Sequence, residues 1–350
     1  MLYQTNNPHG GDIYGGEVLL DFSANTNPLG TPEAVRQAVR DSLEQMDRYP
    51  DPYCRRLVQA ISRFEGVAPE RILCGNGAAE LIYSYCEAAN IRLGVELAPT
   101  FSEYALGLTR MGGKMERYRL SRETEFSLEE GFLDFVGKVQ PDAVFLCNPN
   151  NPTGKTISRQ LLEKILTFCG EHQIRLFVDE CFADLSDREE SLKDLLEENP
   201  HLFLLKAFTK SYGMAGIRLG YCLCADEALL TRMAHTVQPW NVSSLAQAAG
   251  VTALEAGNFL KTTRSLIQTE RVWLKRQLEQ LGFWVCPSET NYLLFQGPET
   301  LHRDLKARKI TIRNCDNYYG LGPGWYRTAV RRREENQVLI QTIREVLGKE

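Results

Sequence analysis

No apolar run in this 350-residue chain approaches the roughly 20 residues that span a bilayer, and the opening MLYQTNNPHGG has neither the basic nor the apolar segment of a signal peptide. These absences argue against a membrane-spanning helix and predict a cytoplasmic protein. Positive charge is in deficit as well: 40 Lys and Arg against 45 Asp and Glu leave a formal net charge of -5. Such a field repels nucleic acid and anionic membranes, so an anionic ligand must be met by local, focused positive charge. Cysteine is lacking in pattern rather than in number. The ten are scattered, several fall inside apolar runs such as ILCG, VFLCNP and GYCLC, and the closest pair, Cys222 and Cys224, has no second pair to complete a zinc site. They read as buried reduced thiols, with no metal site and no catalytic thiol.

What is present is an ordinary globular composition, 43% hydrophobic and 24% charged, on a chain long enough for about two domains. Between about residues 70 and 225, short apolar runs alternate with amphipathic segments, the signature of an α/β fold with a mostly parallel sheet. The predicted strands are RILCG (71–75), RLGVELA (92–98), KMERYRL (114–120), AVFLC (143–147), RLFVD (175–179), LFLLK (202–206) and RLGYCLC (218–224). Their order in the sheet is not readable from these runs. After Ala225 the pattern becomes nearly all helix, then short strands and helices, which reads as a smaller α+β domain joined through a long helix. The expected division is an N-terminal arm over 1–45, a large domain over 46–240 and a small domain over 241–350.

Four stretches stand at the C-terminal ends of predicted strands, where open α/β sheets place their ligands. GNGAAE (75–80) enters a helix, and its small residues let backbone N–H groups approach a phosphate, although many βα turns carry glycine for packing alone. CNPNNPTG (147–154) is dense in turn residues and could be only an elaborate turn. In VDECF, Asp179 closes an apolar strand; a carboxylate there needs a cationic or N–H partner, and the bland alternative is an N-cap or a structural ion pair. In FTKSYGMAGIRLGY (208–221), Lys210 sits in a loop with Arg218 eight positions later, a guanidinium expected to lower the amine's pKa and suit it to Schiff-base chemistry. Alone, each has a structural explanation. Together they supply a phosphate cradle, a polar turn, a buried carboxylate and an activated lysine, which pyridoxal 5′-phosphate (PLP) requires jointly.

With these motifs in view, the chain resembles the fold-type I PLP enzymes of the class I/II aminotransferase superfamily over nearly its whole length. The resemblance implies that Lys210 carries the cofactor as an aldimine, Asp179 pairs with the pyridinium and Asn151 hydrogen-bonds the phenolic oxygen. It implies that Thr209, Arg218 and the backbone at Gly77 and Ala78 hold the phosphate, and that Phe101 stacks on the ring. Tyr49 in RYPDP matches a tyrosine that reaches the phosphate of a neighbouring subunit, which implies a homodimer.

Within the superfamily, RYPDP and WYRTAVRRREENQ resemble the histidinol-phosphate aminotransferases, except that Phe182 stands where those enzymes place a tyrosine. Phe there, HGG followed by LLDFSANTNPLG (19–30), and ITIRNCDNYYGLG (310–322) ahead of YRTAVR resemble the threonine-phosphate decarboxylase family of cobalamin biosynthesis. Carried over, His9, Gly10, Asn25, Asn151, Arg313 and Arg327 are expected to contact substrate, two arginines suiting a molecule with a carboxylate and a phosphate. The implied reaction is decarboxylation of L-threonine O-3-phosphate to (R)-1-amino-2-propanol O-phosphate, with an aminotransferase acting on histidinol phosphate as the alternative. A PLP-fold transcriptional sensor would need a DNA-binding module, for which no segment is left over. The run Arg331–Arg333 reads as a solvated helix entry, with Arg331 a further candidate for phosphate attraction. By composition alone the HGGDI stretch (9–13) is a leader; through the resemblance it becomes part of a site.

Overall fold

The computed structural model describes residues 9–188 and 190–349; the first eight residues of the expected arm lie outside them. In chain order the strands are β1 (Leu20–Asp21), β2 (Ile72–Gly75), β3 (Leu93–Ala98), β4 (Lys114–Arg119), β5 (Ala143–Cys147), β6 (Arg175–Asp179), β7 (Leu202–Ala207), β8 (Gly220–Cys224), β9 (Trp284–Val285), β10 (Tyr292–Gln296), β11 (Ile310–Thr311), β12 (Arg313–Asn314) and β13 (Trp325–Ala329). The helices used below are α1 (Glu33–Ser42), α2 (Arg55–Glu65), α3 (Gly77–Ala88), α4 (Glu103–Arg110), α5 (Gly131–Val139), α6 (Arg159–Glu171), α7 (Phe208–Ser211), α8 (Glu227–Thr236), α9 (Ser244–Leu254), α10 (Phe259–Gln280), α11 (Leu301–Lys306) and α12 (Arg333–Val346).

Seven strands form the central sheet in the order β2-β8-β7-β6-β5-β3-β4, and β8 alone runs against its neighbours. All seven expected strands are present. Strands β5, β7 and β8 are buried at every position because both faces of the sheet are covered, which is why they read as unbroken apolar runs. Edge strand β4, KMERYR, alternates toward solvent and carries charge, as an unpaired edge should. Beneath α3 and α4 the rings of Tyr85, Tyr104, Phe145, Phe177 and Phe203 pack on one another, Phe145 and Phe177 at 5.2 Å between centroids.

The sheet's register aligns the chemistry. Cys147 pairs with Asp179 and Asp179 with Leu205, so the turn after β5, the end of β6 and the loop after β7 emerge side by side. A parallel crossover after β7 would carry the chain to the opposite edge of the sheet. Because β8 returns antiparallel, the whole 208–219 loop stays at this edge.

A second sheet, β12-β13-β10-β9, is antiparallel and packs with α10, α11 and α12 around Leu274, Leu293, Phe295, Tyr326 and Leu339. The arm joins this body: β1 pairs in parallel with β11, and Phe22 lies in its core. The helical stretch expected after Ala225 is divided, since α9 ends before Gly257, whose φ of +54° breaks the run, and α10 starts anew. Among the described residues no helix is long and apolar enough to cross a membrane, and no group of His, Cys, Asp and Glu could hold a metal ion.

Candidate active site

A cavity of about 230 Å³ opens where the C-terminal ends of the central strands meet the arm and the second sheet. Its wall includes His9, Gly10, Asn25, Ala78, Phe101, Asn151, Asp179, Phe182, Thr209, Lys210, Arg218, Arg313 and Arg327. Residues expected to serve one site, and separated by more than 300 positions in the chain, are thus brought to one surface.

On the floor, Asp179 is 5% exposed at the end of β6. Its Oδ2 accepts from the Tyr104 hydroxyl at 2.6 Å and its Oδ1 from the Cys181 N–H at 2.9 Å. Burial pushes this carboxyl up, against the pull of the Cys181 N–H, the Tyr104 hydroxyl and the Lys210 amine. The expected N–H partner is present. Neither an N-cap nor an ion pair accounts for the residue, because β6 runs into an irregular turn and no cation lies within ion-pair distance among the described residues. A carboxylate so placed is suited to a cationic ring nitrogen arriving from the cavity.

Lys210, in the short helix α7, lies on the wall with its amine 5.8 Å from the centre of the Phe182 ring. Its pKa is lowered to about 8, first by burial, then by Arg327, with Arg218 contributing less. The expected effect of Arg218 is present, but Arg327, on β13 and 117 positions away, has the larger one, and only the tertiary fold brings it near. A lysine held near 8 keeps a useful fraction of neutral, nucleophilic amine at physiological pH.

GNGAAE proves to be more than a packing turn. Gly77 has φ of +79°, and a Cβ there would lie 2.6 Å from Arg218 Nη2, so only glycine lets that guanidinium sit against the start of α3. Across the sheet, a Cβ on Gly220 would meet the Ala78 N at 2.7 Å, so this glycine admits the helix terminus to the strand. The α3 N-cap, Asn76, makes no side-chain cap, leaving the N–H groups of the first turn beside Arg218. That is the donor set a phosphate takes. Cradle, buried carboxylate and low-pKa amine on one cavity therefore fit PLP.

The substrate candidates gather above. Asn151 Oδ1 accepts from Tyr318 at 3.2 Å and from Arg327 Nη1. Arg327 also donates to the Ser23 carbonyl at 2.9 Å, while its Nε, though buried, has no partner. Asn25 is 1% exposed and neither polar atom of its side-chain amide is satisfied. An orphaned buried amide costs about 1–3 kcal/mol, a cost removed by a polar ligand. Arg313 binds Asn317 at 2.7 Å and lies 5.3 Å over the Tyr318 ring, on the cavity wall.

HGGDI is folded over the cavity at its start. Gly10 lies so near the strand that a Cβ would be 2.4 Å from the Ser23 carbonyl oxygen, and the Gly11 N–H donates to Ser23 Oγ at 2.7 Å. Phe101 stands 5.6 Å from the His9 ring, tilted by 44°.

Other expectations resolve differently. Tyr49 is 78% exposed, stacked on Trp240 at 4.4 Å, and lines no part of its own chain's cavity. The Arg331–Arg333 run is the entry of α12, with Arg332 exposed as expected, but its guanidinium groups are engaged: Arg331 binds Glu335 and the Asp21 carbonyl, Arg332 the Pro28 carbonyl, and Arg333 Glu270. These arginines fasten the arm and α12, and Arg331 does not face the cavity. All ten cysteines are free and buried. Burial pushes Cys147 and Cys181 on the cavity wall far up, so neither is a nucleophile. Tyr104 and Tyr318 were not singled out in the sequence; Tyr318 lies within ITIRNCDNYYGLG and Tyr104 three residues after Phe101, and that nearness was the only signal.

Three comparisons bear on this arrangement. Residues 17–343 match the model of the family described as aminotransferase class I and II. Threonine-phosphate decarboxylase of Salmonella typhimurium is 36% identical over 98% of this chain and 97% of its own. Histidinol-phosphate aminotransferase of Thermoanaerobacter pseudethanolicus is 32% identical over 93% of this chain and 92% of its own. Among solved structures, the histidinol-phosphate aminotransferase of Clostridium acetobutylicum superposes with a TM-score of 0.88 at 26% identity, covering 95% of this chain and all of that one.

Proposed function

The chain belongs to the aminotransferase class I and II family, and on that premise we propose that it is a PLP-dependent decarboxylase. Its substrate is L-threonine O-3-phosphate, and its products are carbon dioxide and (R)-1-amino-2-propanol O-phosphate, a step of cobalamin biosynthesis. The observation that carries the reading is the juxtaposition of His9, Arg313 and Arg327 with Lys210 on a cavity whose wall has Phe182 in place of a tyrosine. A substrate with two anionic groups needs two anion-binding heads, and an arm histidine adds a third donor.

PLP, when bound, supplies the electron sink for the bond pair released at the substrate's Cα. Lys210 Nζ would be its anchoring amine, and Asp179, backed by Tyr104, would pair with the ring nitrogen. The α3 N-terminus, Thr209 and Arg218 would hold its phosphate, Asn151 would donate to its phenolic oxygen and Phe101 would stack on its ring. In the decarboxylation, the bond from Cα to the carboxylate carbon breaks and a proton enters at Cα. Arg313, Arg327, Asn25 and the arm fix the substrate's anions, and so decide which Cα bond is presented for cleavage. The arm also covers the cavity and excludes water from it. Residues 1–45 are accordingly proposed as a substrate-binding arm, 46–240 as the cofactor domain and 241–350 as the small domain.

The test is incubation of the holoenzyme with L-threonine O-3-phosphate, with and without 2-oxoglutarate. Release of carbon dioxide and amino-propanol phosphate without an acceptor is the expected result. A requirement for the acceptor, with histidinol phosphate as the better substrate, would instead make it an aminotransferase.

The homodimer is proposed on the surface around Tyr49, where Leu43, Met46, Tyr53 and Trp240 are also exposed. A second copy covering them puts each Tyr49 within reach of its partner's cofactor phosphate; sedimentation at micromolar concentration should find a dimer. We place the protein in the cytoplasm, which fractionation of cells would check.

A further inference from the structure

Glu103 opens α4, two residues after Phe101, and is 8% exposed. Both its carboxylate oxygens are engaged by different parts of the chain: Oε1 with His9 Nε2 at 2.8 Å, and Oε2 with the Tyr83 hydroxyl of α3 at 2.8 Å. Arg110 lies 5.6 Å over the Tyr83 ring. The bond from His9 holds the Glu103 carboxyl below its usual range against the effect of burial, with Tyr83 assisting. An ionised acceptor thus meets the arm at His9, while the Ser23 side chain and carbonyl meet it at Gly11 and Gly10.

We propose that Glu103, braced by Tyr83, is a positioning residue that holds His9 on the cavity wall and thereby sets the preference for a phosphorylated over an unphosphorylated amino acid. This rests on the reading of His9 as a substrate contact. Ordering an arm residue at the moment of binding costs backbone entropy. The latch meets that cost beforehand, and by accepting from Nε2 it fixes the edge of the ring that faces the carboxylate. Neither Glu103 nor Tyr83 lines the cavity, so they act through His9.

The holoenzyme is compared with Glu103→Ala, Glu103→Gln, Tyr83→Phe, His9→Ala and the His9→Ala/Glu103→Ala double variant. Glu103→Ala should raise KM for L-threonine O-3-phosphate about tenfold, the loss of one charged hydrogen bond. It should leave cofactor absorbance and inhibition by unphosphorylated L-threonine unchanged. Glu103→Gln, which keeps an acceptor, should recover part of the loss, and Tyr83→Phe should show a smaller one. The double variant should match His9→Ala alone. Additive losses, or a Glu103→Ala loss shared equally by L-threonine, overturn the proposal. Hydrogen exchange over residues 9–12 should be faster in Glu103→Ala, and equal exchange also overturns it. Failure of the unaltered holoenzyme to release carbon dioxide from the phosphate would instead sink the functional reading, and the exchange experiment would still decide the latch.

Discussion

Replacing Gly77 with alanine puts a methyl carbon 2.6 Å from Arg218 Nη2 and 3.0 Å from its Cζ. It also forces a side chain onto a φ of +79°, which costs an L-residue about 1–2 kcal/mol. The two effects fall on different observables. Backbone strain is there with or without cofactor, so it lowers folding stability, by a few degrees in Tm. The displaced guanidinium matters when a phosphate is bound: losing one charge-assisted hydrogen bond costs about 1.5–3 kcal/mol, or about a 10- to 150-fold weaker hold on PLP. The assay is titration of the apoenzyme with PLP, followed by absorbance, beside a thermal melt. A variant that melts lower but binds PLP within about threefold of the unaltered protein refutes the assignment of Gly77 and Arg218 as the phosphate cradle.

Four further outcomes are expected. With Lys210 held near 8, the neutral amine rises from about a tenth at pH 7 to about half at pH 8, so capture of PLP by the apoenzyme should speed up about fivefold and level off above about pH 9; a rate still climbing at pH 10 would mean an ordinary lysine. Lys206, buried on β7 against Glu65 at 2.9 Å and within 3.8 Å of Glu180 and Asp184, should not tolerate Lys206→Met. That change strands buried carboxylates and should cost about 3–5 kcal/mol in urea unfolding. In the unaltered protein Glu65 is lowered to about 2 despite burial, by Lys206, Tyr221 and Lys193; its folded pKa lies below its unfolded one, so its contribution is present above about pH 4.5 and is lost as pH falls toward 2, which unfolding curves between pH 6 and 3 would follow. Phe182→Tyr places a hydroxyl on the wall near Lys210 and should shift the bound cofactor's absorbance band; an unmoved band would mean that position 182 does not face the ring.

Much of this was legible because it is local. Six of the seven strands were found from apolar runs, since a sheet covered on both faces writes its burial directly into the sequence, while the edge strand β4 carries charge; the site motifs stood at the strands' ends. What was hidden is non-local. Strand order depends on crossovers that leave no mark in a single strand. The effect of Arg218 on Lys210 could be read because the two are near in sequence, whereas the larger effect comes from Arg327 on another sheet and could not. The basic run at 331–333 looked solvated because its partners, Asp21, Pro28 and Glu270, lie far away in the chain. HGGDI could be recognised through resemblance, but not the reason its second residue must be glycine, which is the Ser23 carbonyl lying against it.

The parallel pairing of β1 with β11 sets an order of events during synthesis. Leu20 and Asp21 leave the ribosome early, yet their partners Ile310 and Thr311 follow roughly 290 residues later, an interval of about 15–60 s at ordinary rates of elongation. Over that time the central sheet can form and its exit face stays unroofed. Asn25 has no wall to close until the last quarter of the chain arrives, although His9 already finds Glu103 and Phe101. The residues proposed to hold the cofactor are therefore made before Arg313 and Arg327, so a truncated or stalled product would lack both the arginines proposed to direct its chemistry and the charge that, after burial, does most to lower Lys210.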